Sequence, residues 1–337
     1  MTSIALFQSS GWGSSYMKEA LKEKGFSVDI YEGPLDKDHL PDIRSYNVLS
    51  VFVGSTIDQE VLDAFPSLSL ITTRSTGFNH IDIEACRKKG VRVGYVPHYG
   101  EHTVAEFAFG LMLTLSRKLF PAVDRIKETS KFSFEGLEGF DLKGKTLGVI
   151  GTGRIGRHVI RMAQGFDMRV VAFDAFPDEA YGKEVGISYV SLEELLSVSD
   201  VVTLHLPYTD ATHHILDREK LFSMKKGALL INTARGALVE TAGLVEVLSS
   251  GHLGGAGLDV LEEEGVVQDE MGFLLRKDEG HDLRAVIANH LLMDMENVVI
   301  TPHTAFNTRE AKQRIYDGDI ANIVSFFEDG TLVDEVK

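Results

Sequence analysis

The sequence predicts an α/β protein built on two parallel sheets, each with helices on both faces. Three observations carry this. Residues 1 to about 95 alternate short apolar runs with helical patterns. Residues 145–174 read as strand, glycine turn, helix and second strand ending on an acid. The alternation then resumes and runs to Thr301. Strands alternating with helices in this way form parallel sheets.

In order, strands are expected at Ile4–Phe7, Ser27–Tyr31, Val48–Val53, Leu70–Thr73 and Val91–Val96. Between them lie helices at Ser14–Lys24, Asp58–Ala64 and Ile81–Lys89, the first and last stopped by Gly25 and Gly90. No glycine fingerprint follows Phe7, so this first sheet is not marked as a nucleotide site. Glu101–Phe120 is expected to be one long helix, apolar nearly all round and hence buried, with Pro121 just beyond it. Its place between two α/β units makes it a candidate interdomain or dimer element. Residues 132–142 read as a loop.

The second sheet starts at Thr146–Ile150 and is followed at once by Gly151-Thr152-Gly153-Arg154-Ile155-Gly156. A helix from Ile155 to Phe166 and a strand from Arg169 to Phe173 lead to Asp174, 23 residues past the first glycine. A lone glycine-rich turn is weak, but this order of elements is the one a dinucleotide-binding unit requires. Gly151 permits the tight turn, Gly153 lets the backbone approach a pyrophosphate, and Gly156 lets helix and strand pack closely. The helix N-terminus offers free N–H groups to the phosphates. Asp174 suits the ribose hydroxyls and repels a 2′-phosphate, and Ala175-Phe176-Pro177 supplies no cation to neutralise one, which selects NAD over NADP.

Further on, Ser191 caps a short helix with Glu194 three residues later. Strands follow at Asp200–Leu206, Ala228–Asn232, Gly255–Asp259 and Val298–Thr301, with helices at Arg218–Met224 and Glu240–Ser249. A long acidic connection is expected from Glu262 to about Glu296. The final helix, Arg309–Phe327, is expected to return to the N-terminal domain, which makes that domain discontinuous. The expected division is residues 1–100 plus 305–337, and residues 101–304.

The chain of 337 residues is long enough for two cores. A formal charge of −16 argues against nucleic acid and anionic membranes as partners. No apolar run approaches a membrane span, and the N-terminus has neither a basic region nor a cleavage site. Cys86 is the only cysteine, so no intrachain disulfide forms; a half-buried structural thiol and a cytoplasmic location are expected. No His-Glu-x-x-His motif or cysteine pair supports a metal site.

Ligands of open α/β sheets bind at the carboxyl ends of strands. Asp174, His205, Arg235, Asp259 and His303 gather there, with Glu264 close behind Asp259. Taken with the stretches GTGRIG, INTARG, GLDVLEEE, TPHTAF and RSTGFNHID, their order and spacing resemble the D-isomer-specific 2-hydroxyacid dehydrogenase family over essentially the whole chain. The block FSFEGLEGFDLKGKTLGVIGTGRIG is especially similar to the fermentative D-lactate dehydrogenases of that family.

The resemblance implies two Rossmann/flavodoxin-like domains separated by a cleft, NAD as cofactor, a small 2-keto or 2-hydroxy acid as substrate, and a homodimer. Arg235 would bind the carboxylate through its planar fork and polarise the keto oxygen. His303 would be the acid–base, with Glu264 favouring its protonated form. In isolation Glu262-Glu263-Glu264 reads as an exposed acidic run; only the family register, five residues past Asp259, selects Glu264. Backbone N–H groups of Ser75, Thr76 and Gly77 would complete the carboxylate site. Tyr99 and Phe306 would line the pocket, although a hinge tyrosine and a core phenylalanine are the plainer readings.

For the cofactor, the resemblance implies Gly151, Gly153, Arg154, Ile155, Gly156 and Asp174, then His205, Pro207, Thr233, Ala234 and Asp259. His213 and His214 read as surface residues without a role. Glu264 and Gly265 argue against the formate, phosphoglycerate and glyoxylate branches of the family. The function so implied is NADH-dependent reduction of pyruvate to D-lactate. The alternatives are a bulkier 2-keto acid, or a non-catalytic NAD(H)-sensing protein like the co-repressors that share this fold.

Overall fold

A computed structural model describes residues 2–268 and 282–337. The chain divides into two compact units, residues 1–100 with 307–337, and residues 101–306.

The first unit is a five-stranded sheet made of β1 (Ser3–Leu6), β2 (Ser27–Ile30), β3 (Val48–Val51), β4 (Leu70–Thr73) and β5 (Arg92–Tyr95). Helices α1 (Gly11–Glu23), α2 (Gln59–Ala64) and α3 (Ile83–Lys89) connect the strands. The strand order is β2-β1-β3-β4-β5 and every pairing between these strands is parallel. β3 and β4 are buried along their whole length, as strands covered on both faces must be. Asp58 and Asp82 cap α2 and α3 by accepting from Val61 N and Ala85 N, and Gly90 ends α3 in the left-handed conformation. Cys86 lies in this core, fully buried rather than half-buried, and burial pushes its thiol up to about 11.

The second unit begins with α4 (Glu101–Ser116) and α5 (Leu119–Thr129). Its sheet holds β6 (Thr146–Ile150), β7 (Arg169–Phe173), β8 (Ser188–Tyr189), β9 (Val201–Leu204), β10 (Leu229–Asn232), β11 (Gly255–Leu258) and β12 (Val298–Ile300). Their order is β12-β11-β10-β9-β6-β7-β8, again parallel throughout. The helices are α6 (Arg154–Gly165), α7 (Glu179–Val185), α8 (Leu192–Val198), α9 (Arg218–Ser223), α10 (Thr241–Ser249), α11 (Glu264–Gln268) and α12 (Leu283–Met293). Helix α13 (Arg309–Asp329) returns the chain to the first unit, where Ile323 joins the core. No helix among the described residues is long and apolar enough to cross a membrane.

Two of the expected elements need correction. The helix expected from Glu101 to Phe120 ends at Ser116. Lys118 takes a left-handed φ of 49°, and the Ser116 carbonyl accepts from Phe140 N at 2.9 Å instead of continuing the helix. Gly139 seats so closely that a Cβ there would lie 2.2 Å from Ser116 O. Pro121 falls in the first turn of α5, where its missing N–H has no helical acceptor to lose. The buried face of α4 packs on its own sheet, with Leu111 and Leu115 against Gly257. The acidic connection expected from Glu262 to Glu296 contains α11 and α12. Asp282 caps α12 by accepting from Arg284 N and Ala285 N. Residues 269–281 of that connection lie outside the described residues.

Candidate active site

In the second sheet the strand order reverses between β6 and β9, and the glycine turn follows β6 at that switch point. Gly151 has φ 95°, and a Cβ there would lie 2.8 Å from the His205 carbonyl group beyond β9. At Gly156 a Cβ would lie 2.0 Å from Gly151 O, so the start of α6 packs directly on the turn. Above Gly153 there is open space, and α6 begins without a side-chain cap or an acidic residue in its first turn. Free N–H groups and a positive dipole end thus face an unobstructed backbone, which suits a pyrophosphate.

Asp174, at the end of β7, accepts from Thr152 N at 2.7 Å, Thr152 Oγ1 at 2.9 Å and Phe176 N at 3.0 Å. Burial tends to raise its carboxyl, but these bonds and the nearby charge of Arg157 outweigh it and hold the group below the usual carboxylate range. Arg157 was not apparent from the sequence because it stands 17 residues before Asp174 on α6. It is engaged by Asp178 at 2.8 Å and stacks on Tyr181. Tyr189 OH completes the cluster by donating to Thr152 Oγ1 at 3.0 Å.

Arg154 is exposed, pairing with Glu101 at 3.7 Å; Ile155 is half-buried and Pro207 exposed. His205 Nε2 lies 2.9 Å from Thr203 Oγ1, and burial pushes its imidazole down to about 3, so it is neutral at ordinary pH. Among the described residues Thr233 Oγ1 is buried without a hydrogen-bond partner, a polar atom placed for a ligand to satisfy. These residues fit a nicotinamide dinucleotide.

Arg235 follows β10. Its turn is held by Asn232, whose side chain accepts from Ala234 N at 3.0 Å and donates to Arg235 O at 2.9 Å. At Gly236 a Cβ would lie 2.0 Å from the Leu261 carbonyl carbon, so this turn lies directly on the segment that leads to Glu264. The Arg235 guanidinium is exposed and donates to Ala234 O at 2.7 Å.

His303 follows β12 in a strained turn, with φ 48°. Asp259 holds that turn. Its buried carboxylate accepts from Thr301 Oγ1 at 2.6 Å, Thr304 N at 2.9 Å and Ala305 N at 2.8 Å, and its carbonyl accepts from His303 N at 2.8 Å. Asp259, read from the sequence as a cofactor neighbour, thus has a positioning task that the sequence did not show. His303 Nδ1 lies 2.9 Å from Glu264 Oε1, which leaves Nε2 for proton exchange. For Glu264, burial tends to raise the carboxyl. The His303 hydrogen bond and charge, the Leu261 N–H and the Arg235 charge outweigh burial and keep the group below its usual range. Glu264 and His303 line a cavity of about 360 Å³ whose walls include Leu261, Val298, Ile300 and Pro302, and the Arg235 charge acts on Glu264.

The run Glu262-Glu263-Glu264 is not simply an exposed acidic face. Glu262 accepts from Thr241 Oγ1 at 2.6 Å, lies 2.6 Å from His214 Nε2, and takes Asn289 Nδ2 on its carbonyl at 2.7 Å. His214, assigned nothing from the sequence, is part of this staple and stacks on His213.

In the first unit, Ser75, Thr76 and Gly77 follow β4. Their backbone N–H groups have no acceptor among the described residues, and successive free N–H groups make an anion-binding concavity. Arg74, just before them, is buried and donates to Phe7 O, Gln8 O and Val51 O. It fills the switch point of this sheet, between β1 and β3, where a nucleotide would otherwise sit. Tyr99 is half-buried, with Arg314 Nε donating to its carbonyl at 2.7 Å. Phe306 is also half-buried and ends the second unit.

Residues 109–305 match the D-isomer specific 2-hydroxyacid dehydrogenase NAD binding domain. The chain is 33% identical to D-lactate dehydrogenase of Escherichia coli over 335 residues, covering 99% of each chain. It is 36% identical to an aromatic 2-oxoacid reductase of Clostridium sporogenes over 318 residues, covering 93% of each. Among solved structures it is similar to D-lactate dehydrogenase from Aquifex aeolicus complexed with NAD and lactic acid, with TM-score 0.83, 35% identity and 98% of each chain covered. The glycine turn, its acid and the matched domain converge on one conclusion: the chain belongs to the D-isomer-specific 2-hydroxyacid dehydrogenase family, an NAD-dependent enzyme.

Proposed function

We propose that the enzyme reduces pyruvate to D-lactate: pyruvate + NADH + H⁺ → D-lactate + NAD⁺. The observation that carries the chemistry is the 2.9 Å contact of His303 with Glu264, beside the charge of Arg235. Likeness over 99% of the chain to a D-lactate dehydrogenase supports pyruvate as the substrate. The glycine turn, Asp174, His205, Pro207, Thr233 and Ala234 would hold NADH, which would supply the hydride. The free N–H groups of Ser75, Thr76 and Gly77 receive the substrate carboxylate. Arg235 binds the carboxylate and polarises the keto oxygen through guanidinium N–H groups. His303 gives the Nε2 proton to that oxygen, while Glu264 fixes the ring through Nδ1. His205, being neutral, adds no second positive charge beside the oxidised cofactor. The family resemblance assigns Tyr99 and Phe306 to the substrate side chain.

The likeness to an aromatic 2-oxoacid reductase favours a second reading, in which a bulkier 2-keto acid is the better substrate. NADH oxidation with pyruvate, 2-ketobutyrate, 2-ketoisocaproate, phenylpyruvate, glyoxylate and hydroxypyruvate separates the two. Pyruvate should give the highest kcat/KM and the D product. A bulkier acid in first place would replace the substrate but not the reaction. Tight NADH binding with no turnover at all would move the reading to an NAD(H) sensor.

The single buried thiol fits the cytoplasm. A homodimer fits the exposed stripe Leu119, Phe120, Val123 and Ile126 on α5, and a monomer by light scattering would refute it.

A further inference from the structure

Thr73, Ser75 and His80 form a hydrogen-bond chain in the first unit that the reaction as described does not use. Thr73 ends β4, Ser75 opens the loop that follows, and His80 stands at the far end of that loop, two residues before the Asp82 cap of α3. Ser75 Oγ donates to Gly77 O at 2.6 Å, and a carbonyl can only accept, so the one hydroxyl proton of Ser75 is committed. Thr73 Oγ1, 2.7 Å from Ser75 Oγ, is then the donor to it. His80 Nε2, 3.1 Å from Thr73 Oγ1, must in turn donate to Thr73. The chain has one direction, from His80 through Thr73 and Ser75 to the Gly77 carbonyl, and it requires the Nε2–H form of the ring.

We propose that His80 is a positioning residue for substrate binding, acting through Thr73 and Ser75 to hold the N–H groups of Ser75, Thr76 and Gly77 in a fixed array for the carboxylate. This rests on the reading of that loop as the carboxylate site. Three features support it. Thr73 and Ser75 are buried, at 0% and 3% exposure, so water does not replace the link. Burial also pushes the His80 imidazole down to about 4, so the ring stays neutral and its donor does not change with pH in the working range. Finally, Ser75 closes the chain on Gly77 O, across the very residues whose N–H groups lack acceptors. A free N–H array binds an oxyanion well only when its geometry is set before the ligand arrives.

The test uses the NADH-bound enzyme and four single variants. His80→Phe keeps a ring without a donor, Thr73→Val keeps the shape without the hydroxyl, and His80→Gln restores a neutral N–H donor. Thr76→Pro removes one N–H of the array itself. The first two should each raise KM for pyruvate about tenfold, the effect of one hydrogen bond. They should leave kcat within about twofold and NADH affinity unchanged, and the double variant should be no worse than either alone. His80→Gln should recover most of the loss, and nitrogen-15 NMR should show the Nε2–H tautomer. If Thr76→Pro raises KM but His80→Phe and Thr73→Val do not, the proposal fails while the carboxylate reading stands. If none of the three changes KM, the carboxylate reading fails and takes the proposal with it. A parallel fall of kcat, NADH affinity and Tm would show a merely structural role, and an Nδ1–H tautomer would break the chain; either overturns the proposal.

Discussion

Replacing Glu264 by Gln removes one charge from the group that His303 Nδ1 touches at 2.9 Å while keeping its shape and its acceptor oxygen. At that distance two unit charges interact by about 1.4 kcal/mol at a dielectric of about 80 and by about 6 kcal/mol at about 20. Both side chains are 38% exposed, so solvent screens the pair and the lower figure applies. A loss of about 1.36 kcal/mol is tenfold in rate, so kcat/KM for pyruvate should fall about tenfold in the variant. Glu264 itself is held below the usual carboxylate range and stays charged through the whole assay window, so it adds no limb of its own. The assay is kcat/KM for pyruvate from pH 5 to 9 in wild type and Glu264→Gln. The variant should lie about tenfold behind wild type across that window. The oxidation of D-lactate passes through the same transition state and should fall by the same factor. Equal kcat/KM for wild type and variant in both directions would remove Glu264 from its role.

Other outcomes follow from the same geometry. Gly156→Ala places a Cβ 2.0 Å from Gly151 O; such overpacking costs about 1–3 kcal/mol, so NADH binding by fluorescence titration should weaken at least about fivefold, and unchanged affinity would contradict the packing. Asp174→Ala frees Thr152 and Phe176 of the acid they bond and should lose the preference for NADH over NADPH; a variant as selective as wild type would count against the assignment. Asp200 bonds Lys225 Nζ at 2.6 Å and Thr146 N at 2.8 Å, and these contacts outweigh burial and lower its carboxyl. A depressed carboxyl stabilises the fold above its unfolded pKa of about 3.9, and that contribution disappears as pH falls through the lower folded value. Asp200→Asn should therefore reduce Tm at pH 7 by about 3–6 °C and flatten its decline below about pH 4; an unchanged acid decline would argue against it.

Much of the chain is legible because its rules are local. Thr146–Ile150 is apolar without a break, and a run so short between turn signals makes a strand buried on both faces. Ser191 is the cap of α8, with its side chain accepting from Glu194 N, because three residues of spacing are enough to define that bond. The end of α4 was not legible, since Ser116 stops the helix by giving its carbonyl to Phe140, 24 residues away. Likewise α12 carries a clear cap at Asp282, but it was hidden inside a stretch read as acidic connection.

The sequence alone determined the alternation of strands and helices, the glycine turn and Asp174, because each depends on neighbours within a turn or a strand. Tertiary structure decided the order of the strands and hence which residues meet. Glu262 and Glu264 are chemically identical in the sequence, yet one staples Thr241 and Asn289 while the other meets His303. That choice is made by the β11–β12 register, which pairs Leu258 with Ile300, and by the Asp259 carboxylate that bends the chain after Thr301. Arg74 shows the same limit from the other side. One residue from an expected binding loop, it could have been a ligand contact; burial among the carbonyls of Phe7, Gln8 and Val51 makes it the plug of the first sheet instead.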